Sequence, residues 1–432
     1  MSDAQRVAVV GAGPAGFYAA EALLGEGFEV DLFDVLPTPW GLVRAGVAPD
    51  HPKIKNVTKR YEKTASQDGF RFHGNVGVGE NISAQDLIDH FDAVLYSTGA
   101  SVGRSLGIDG EELDGCVSAT DFVAWYNGHP EGVEHEFDLS SHRAIVIGNG
   151  NVALDVGRML MLPEAKLLET DVADHALEIL RDHGIQEVII MGRRGPAEAA
   201  YTTPELRELE SFTGATVLVD TQGGSLDEPE EAETRVKRNL DVARGYAENA
   251  RPEGGRTIVL RFLSSPVEIL GDDGRVTGLR VVRNELVDGR AKATGDVEEI
   301  DCGLVIYAVG YRGRPIEGVP FDEHSGTIAN EEGRVSPGVY TAGWAKRGPS
   351  GIIGTNKKCA NDTVAKLLED RDDLTPPAKD RESLAALLEA AGAIDYGGWE
   401  KINTHETSKG EELGRPRVKL TDIAEMLDVA RG

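Results

Sequence analysis

The chain has 432 residues, 27% charged and 40% apolar, which suits about two or three packed domains. Lys and Arg total 45 against 73 Asp and Glu, and the net charge of −28 argues against nucleic acid or an anionic membrane as partner. No apolar run approaches the ~20 residues that span a bilayer, no signal-peptide pattern precedes the first strand, and Cys116, Cys302 and Cys359 are too far apart for a CxxC pair, a zinc site or an iron–sulfur run. The expectation is a protein of the reducing cytoplasm with no metal site.

In chain order, Val7–Val10 is a continuous apolar run, as in a parallel strand buried on both faces. Gly11-Ala12-Gly13-Pro14-Ala15-Gly16 follows, then a helical pattern over Phe17–Leu24, then a strand over Glu29–Phe33 that ends at Asp34. A Gly- and Pro-rich loop runs from Pro37 to Lys55, and a strand near Val94 exits at Gly99. The unit then repeats: strand Ala144–Ile147, turn Gly148-Asn149-Gly150-Asn151-Val152-Ala153, helix Leu154–Leu162, and strand Glu187–Met191 ending at Arg193-Arg194. Pro163–Gly184 reads as an added helix, residues near 211–300 alternate as strands and hairpins (Thr257–Phe262, Val276–Val282), and Val305–Val309 reads as a strand exiting at Gly310. The acidic run Asp227–Glu233 reads as a solvated helix start, and 370–382 as a linker to C-terminal helices. The fold expected is α/β: two Rossmann-like dinucleotide-binding domains, the second inserted in the first, with boundaries at 1–104, 105–325 and 326–432.

A GxGxxG between a strand and a helix, with an acid 23 residues on at the next strand end, is a strong dinucleotide signal. Gly11 permits the tight turn, Gly13 lets a pyrophosphate approach, and Gly16 lets the helix pack on the sheet. Asp34 suits the ribose hydroxyls of FAD or NAD. The second turn has Gly148, Gly150 and Ala153, but its strand ends in Arg193-Arg194, the charge a 2′-phosphate needs; the alternative is a surface pair. Two such sites in one chain point to FAD plus NADP(H) and hydride transfer to a flavin. His51, between Asp50 and Pro52, reads as either a catalytic group or a turn residue. The Gly-rich segment 343–356 precedes a helix whose N–H groups could face a flavin, or is a capped connection. Lys55, Lys59 and Lys63, and separately Arg235, Lys237, Arg238 and Arg244, are two basic runs that could dock a carrier or form solvated faces.

The segments LPTPWGLVRAGVAPDHPKIK, VIGNGNVALDVGR, GRRGP, TTPELREL, VGYRG, GWAKRGPSGIIGTNKK and GRPRVKL together resemble the adrenodoxin-reductase-type NADPH:ferredoxin reductases, most closely an actinobacterial branch. The resemblance covers nearly the whole chain. It implies FAD contacts at Ala15, Asp34, Leu42, Val78, Trp344, Gly351, Ile352 and Ile353. It implies NADP contacts at Arg104, Asn149, Gly150, Asn151, Val152, Arg193, Arg194, Glu205 and Gly351. It also implies a polar pair, His51 and Glu208, beside the reacting rings. Asp34 stands where many relatives have Glu, and Ala15 where some have a small polar residue, so a contact at Ala15 must come from its backbone. The implied activity is hydride transfer from NADPH to FAD, then single electrons to a ferredoxin, by a monomer. A flavoprotein monooxygenase and a subunit of a larger NADPH-dependent synthase are the alternatives.

Overall fold

A computed structural model describes residues 4–432. The chain divides into two compact units. One comprises the chain through Val102 together with Gly310–Gly432; the other is Gly103–Val309. Residues 310–325, grouped with the inserted domain from the sequence, thus belong to the first unit. The glycine exits at 99 and 310 mark the crossings more closely than the boundary at 325, because each follows the last residue of a parallel strand.

In the first unit, Arg6–Val10 is buried throughout and pairs in parallel with Glu29–Phe33 and Ala93–Tyr96, with Val7 opposite Val30 and Ala93. The sheet order is Arg334–Ser336, Val339–Thr341, Ala93–Tyr96, Arg6–Val10, Glu29–Phe33, Phe70–His73, and only the first pair is antiparallel. The helix Pro14–Gly25 starts with proline at its first position, where the missing N–H costs nothing, and packs against Ile353–Glu369. Phe17, Leu23, Ala360, Val364 and Leu367 meet in that core.

The second unit repeats the plan. Its six-stranded parallel sheet runs Cys116–Ser118, Leu304–Tyr307, Arg143–Ile147, Glu187–Met191, Thr257–Arg261, Thr216–Asp220. Thr257–Arg261, within the region read as strands and hairpins, lies in this sheet and not in the hairpins. It is a fully buried parallel strand, as its unbroken apolar run requires. The hairpins lie further on, in the antiparallel sheet of Ser264–Asp272, Arg275–Val287 and Arg290–Asp301. The segment 163–184 holds two helices, Glu164–Leu167 and Asp174–Leu180, rather than one.

Candidate functional site

In each unit a central parallel strand runs through a turn into a helix, and that turn carries the glycine motif. In the first unit, the Gly11 N–H donates to the Phe33 carbonyl (2.8 Å), which ties the turn to the neighbouring strand. A Cβ at Gly16 would lie 2.0 Å from the Gly11 oxygen, so the helix can approach only without a side chain there. Gly13 differs: a Cβ there would meet only the Gly41 Cα, at 4.0 Å. That position is bare toward open space, the shape of a cradle for a ligand. Asp34 accepts from the Ala12 N–H at 2.7 Å and the Leu36 N–H at 3.0 Å. Its carboxylate therefore braces the turn as well as ending the strand, and lone pairs remain for ribose hydroxyls. Burial raises its pKa to about 6 against these two donors. Trp40, next along, is buried with no hydrogen-bond partner for its indole N–H.

The C-terminal part of this unit adds the remaining expected contacts. Ala15 is buried, and a Cβ at Gly343 would fall 2.6 Å from the Ala15 Cβ, so the two small residues let the Gly343 turn close on the first helix. Trp344 donates from Nε1 to the Ser350 carbonyl (3.2 Å) and stacks on Tyr311 with ring centroids 6.2 Å apart. Gly351 precedes Ile352, the N-cap of Ile353–Glu369, and Ile353 packs into the core. Ile352 and Leu42 stay 63% and 43% exposed, uncovered apolar side chains that suit a flat ring system. Val78 is half-buried and bridges to Ile82. His51 is buried and N-caps the short helix Pro52–Lys55, with no side-chain cap bond.

In the second unit, nothing lies within 4 Å of a Cβ built on Gly150, the counterpart of Gly13. The Asn149 carbonyl accepts from the Ala200 N–H and the Asn151 Oδ1 from the Thr202 N–H, both at 2.8 Å. The sequence reading gave these asparagines a cofactor role; they also knit the turn to the loop beyond the next strand. Val152 is half-buried against the core. Arg104, Arg193 and Arg194 are exposed. Asn284 fixes the Arg193 carbonyl (2.9 Å), while Arg194 reaches only the Glu198 carbonyl, at 3.4 Å.

Glu205 and Glu208 lie one turn apart on Thr203–Thr213. Arg158, fully buried, pairs with Asp155 at 2.8 Å and reaches Glu205 at 3.6 Å. Burial raises Glu205 to about 8; Asp155 and Glu208 add to that, and Arg158 opposes it. A folded pKa above the ordinary 4.5 means that the native state binds more protons than the unfolded chain across pH 4.5 to about 8. The contribution to stability is complete below that window and is lost as pH rises through it. Glu205→Gln is therefore expected to melt closer to its own pH 5 temperature at pH 9 than wild type does. Parallel melting profiles for the two proteins would exclude that titration.

The second basic run is not a free patch. Arg235 donates to the Ala199 and Tyr201 carbonyls (2.9 and 3.1 Å), Arg244 pairs with Asp241 and Glu228, and Lys237 lies 4.0 Å from Glu228. Three of its four members are thus engaged within their own unit, while Arg238 is exposed. Of the first basic run, Lys59 and Lys63 are exposed and Lys55 is half-buried; Lys53 and Ile54, the latter 39% exposed, also lie at the surface. Of the apolar residues interleaved with these lysines, Tyr61 is core and Val57 packs against the core, leaving Ile54 at the surface.

Residues 5–191 match the model of the pyridine nucleotide-disulphide oxidoreductases. NADPH-ferredoxin reductase FprA of Mycobacterium tuberculosis is 48% identical over 452 residues, covering 99% of each chain. The mitochondrial NADPH:adrenodoxin oxidoreductase of Salvelinus fontinalis is 40% identical, over 100% of this chain and 92% of its own. The solved structure of Mycobacterium tuberculosis FprA in complex with NADPH superimposes with a TM-score of 0.95 at 47% identity, over 99% of this chain and 100% of that one. With two glycine turns at the heads of two parallel sheets and similarity running end to end, the chain belongs to the NADPH-ferredoxin reductase family of pyridine-nucleotide oxidoreductases.

Proposed function

We infer that this protein is an FAD-dependent NADPH:ferredoxin oxidoreductase. The observation that carries the reading is the contrast between its two nucleotide seats: one strand ends in an acid, Asp34, and the other in two exposed arginines, Arg193 and Arg194. The first seat suits the unphosphorylated adenosine of FAD and the second the 2′-phosphate of NADPH. FAD held in the first seat would supply a two-electron hydride acceptor that can give up its electrons singly. The chain's own work is to hold both nucleotides by their pyrophosphates at helix N-termini, to present Ile352, Leu42 and Trp344 to the ring, and to fix the nicotinamide. The acceptor is a ferredoxin-type iron–sulfur protein, and the reading includes a cytoplasmic monomer. Anaerobic mixing with NADPH should bleach the flavin, and added ferredoxin should restore it. Flavin that NADPH reduces but ferredoxin does not reoxidise would assign the electrons elsewhere.

In this reading His51 and Glu208 are the two polar residues that serve the reacting rings. No proton leaves carbon in hydride transfer, so neither residue is needed as a base in that step. Their work is to orient the nicotinamide and to hold a proton near the ring. His51→Gln is expected to slow flavin reduction about 10-fold, an alignment loss of about 1.4 kcal/mol, with FAD content and NADPH preference intact. Glu208→Gln should act more mildly, and the double variant less than additively. Wild-type reduction rates in both single variants across pH 6 to 9 would make the two residues loop structure.

The docking face in this reading is the lysine ridge of Lys55, Lys59 and Lys63, with Ile54 exposed next to it in the chain, a local cationic surface on a strongly acidic protein. Changing the three lysines to Glu should lower kcat/KM for ferredoxin about 10-fold at low salt, with a smaller effect at high salt. Equal rates at every ionic strength would remove the ridge from the docking surface.

A further inference from the structure

The GRPRVKL segment, residues 414–420, has no part in either nucleotide seat, yet its side chains and backbone converge on one buried carboxylate. Glu406 is fully buried in the helix Tyr396–Glu412. Arg44 grips it with both ends of its guanidinium, at 2.7 and 2.5 Å. Arg417 donates to it at 2.9 Å, as does the Leu420 N–H. Lys419 donates to the Arg44 carbonyl at 3.2 Å. Burial alone would raise this carboxyl, but the two guanidiniums and the N–H outweigh it and hold it below its ordinary range.

Arg44 closes the turn that begins at Trp40. Trp40 has φ +85°, a left-handed conformation that a bulky side chain adopts only when its surroundings impose it. Those surroundings are the same C-terminal elements: Trp399 packs edge-on at 4.8 Å and the Arg417 guanidinium lies 5.6 Å from the Trp40 ring centre. Gly41 follows with φ +49°, and a Cβ there would fall 2.9 Å from the Gly13 Cα. The Trp40 N–H donates to the Ala12 carbonyl at 2.8 Å. The turn therefore forms one wall of the Gly11–Gly16 cradle, and it does not hold its shape by local preference.

We propose that Glu406 is a positioning residue for FAD: through Arg44 and Arg417 it clamps the Trp40–Arg44 turn against the glycine turn that seats the pyrophosphate. The inference rests on the first turn holding FAD, which the yellow colour of the purified wild-type protein checks separately. The test is the rate at which holoenzyme, diluted into bromide buffer, releases FAD, followed by the rise in flavin fluorescence. Glu406→Gln is expected to release FAD at least 10-fold faster than wild type and to change the visible circular dichroism of the bound flavin. Leu87→Ala, a cavity in the same unit outside the clamp, serves as a comparison matched in melting temperature and should release FAD at close to the wild-type rate. If Glu406→Gln does not fold, Arg44→Lys and Arg417→Met decide the matter. Lys keeps the charge but loses the two-pronged grip, and Met keeps an apolar stem against Trp40 while leaving the Arg44–Glu406 pair. Each should release FAD several-fold faster than the matched comparison. Release no faster than from Leu87→Ala, with an unchanged flavin dichroism, overturns the proposal.

Discussion

Replacing Arg193 and Arg194 together by Ala is expected to raise the KM for NADPH about 100-fold or more, because each charge-assisted hydrogen bond to a phosphate contributes about 1.5–3 kcal/mol. The KM for NADH should change little, so the preference for NADPH largely disappears. Both side chains are exposed at the end of Glu187–Met191. Among the described residues, the only side-chain hydrogen bond either makes is the long one from Arg194 to the Glu198 carbonyl. The backbone is held independently, by Asn284 on the Arg193 carbonyl and by the Leu263 N–H on the Arg194 carbonyl at 3.0 Å. Removing the guanidiniums should therefore leave the loop and the melting temperature almost unchanged. Lysine at both positions should recover only part of the loss, since it supplies charge without the planar fork. Steady-state kinetics with both nucleotides measure the ratio, and an unchanged ratio in the Ala pair would reduce the arginines to surface residues.

What the sequence revealed and what it hid divide along chain separation. The glycine turns, Asp34 and Arg193-Arg194 lie within single strand–turn–helix–strand units, where spacing alone predicts position. The clamp on Trp40–Arg44 joins residues 362 apart, Arg44 and Glu406, and no local period announces it. Its motif, GRPRVKL, was visible, but its partner was not. The engagement of the basic run at 235–244 is hidden for a similar reason: the Ala199 and Tyr201 carbonyls and the Glu228 carboxylate come from other segments, and a helical face read alone does not display them. Thr257–Arg261 is a different case: its apolar run announces a strand, but its place between Glu187–Met191 and Thr216–Asp220 is set by long-range pairing that the run does not display.

The two glycines of the second turn should separate folding from nucleotide binding. Gly148 has φ +148°, and a Cβ there would lie 2.6 Å from the Ala308 oxygen and 3.0 Å from its Cβ. Gly148→Ala must therefore move the neighbouring strand exit, and it should cost stability together with every function of the unit. Gly150 has an extended backbone, φ −122°, that any residue adopts, and a Cβ there meets nothing within 4 Å. For the protein alone, Gly150→Ala costs only a less favourable helix N-cap, about 1 kcal/mol or less. For a bound pyrophosphate, the same methyl group stands where the backbone must be approached. Gly150→Ala is thus expected to fold, retain FAD and melt within a few degrees of wild type, while its KM for NADPH rises about 10-fold or more, a loss of about 1.4 kcal/mol. Melting curves and FAD content measure the first half of the expectation, and flavin reduction against NADPH concentration measures the second. An unaltered KM in a well-folded Gly150→Ala protein would place the NADPH pyrophosphate away from this turn.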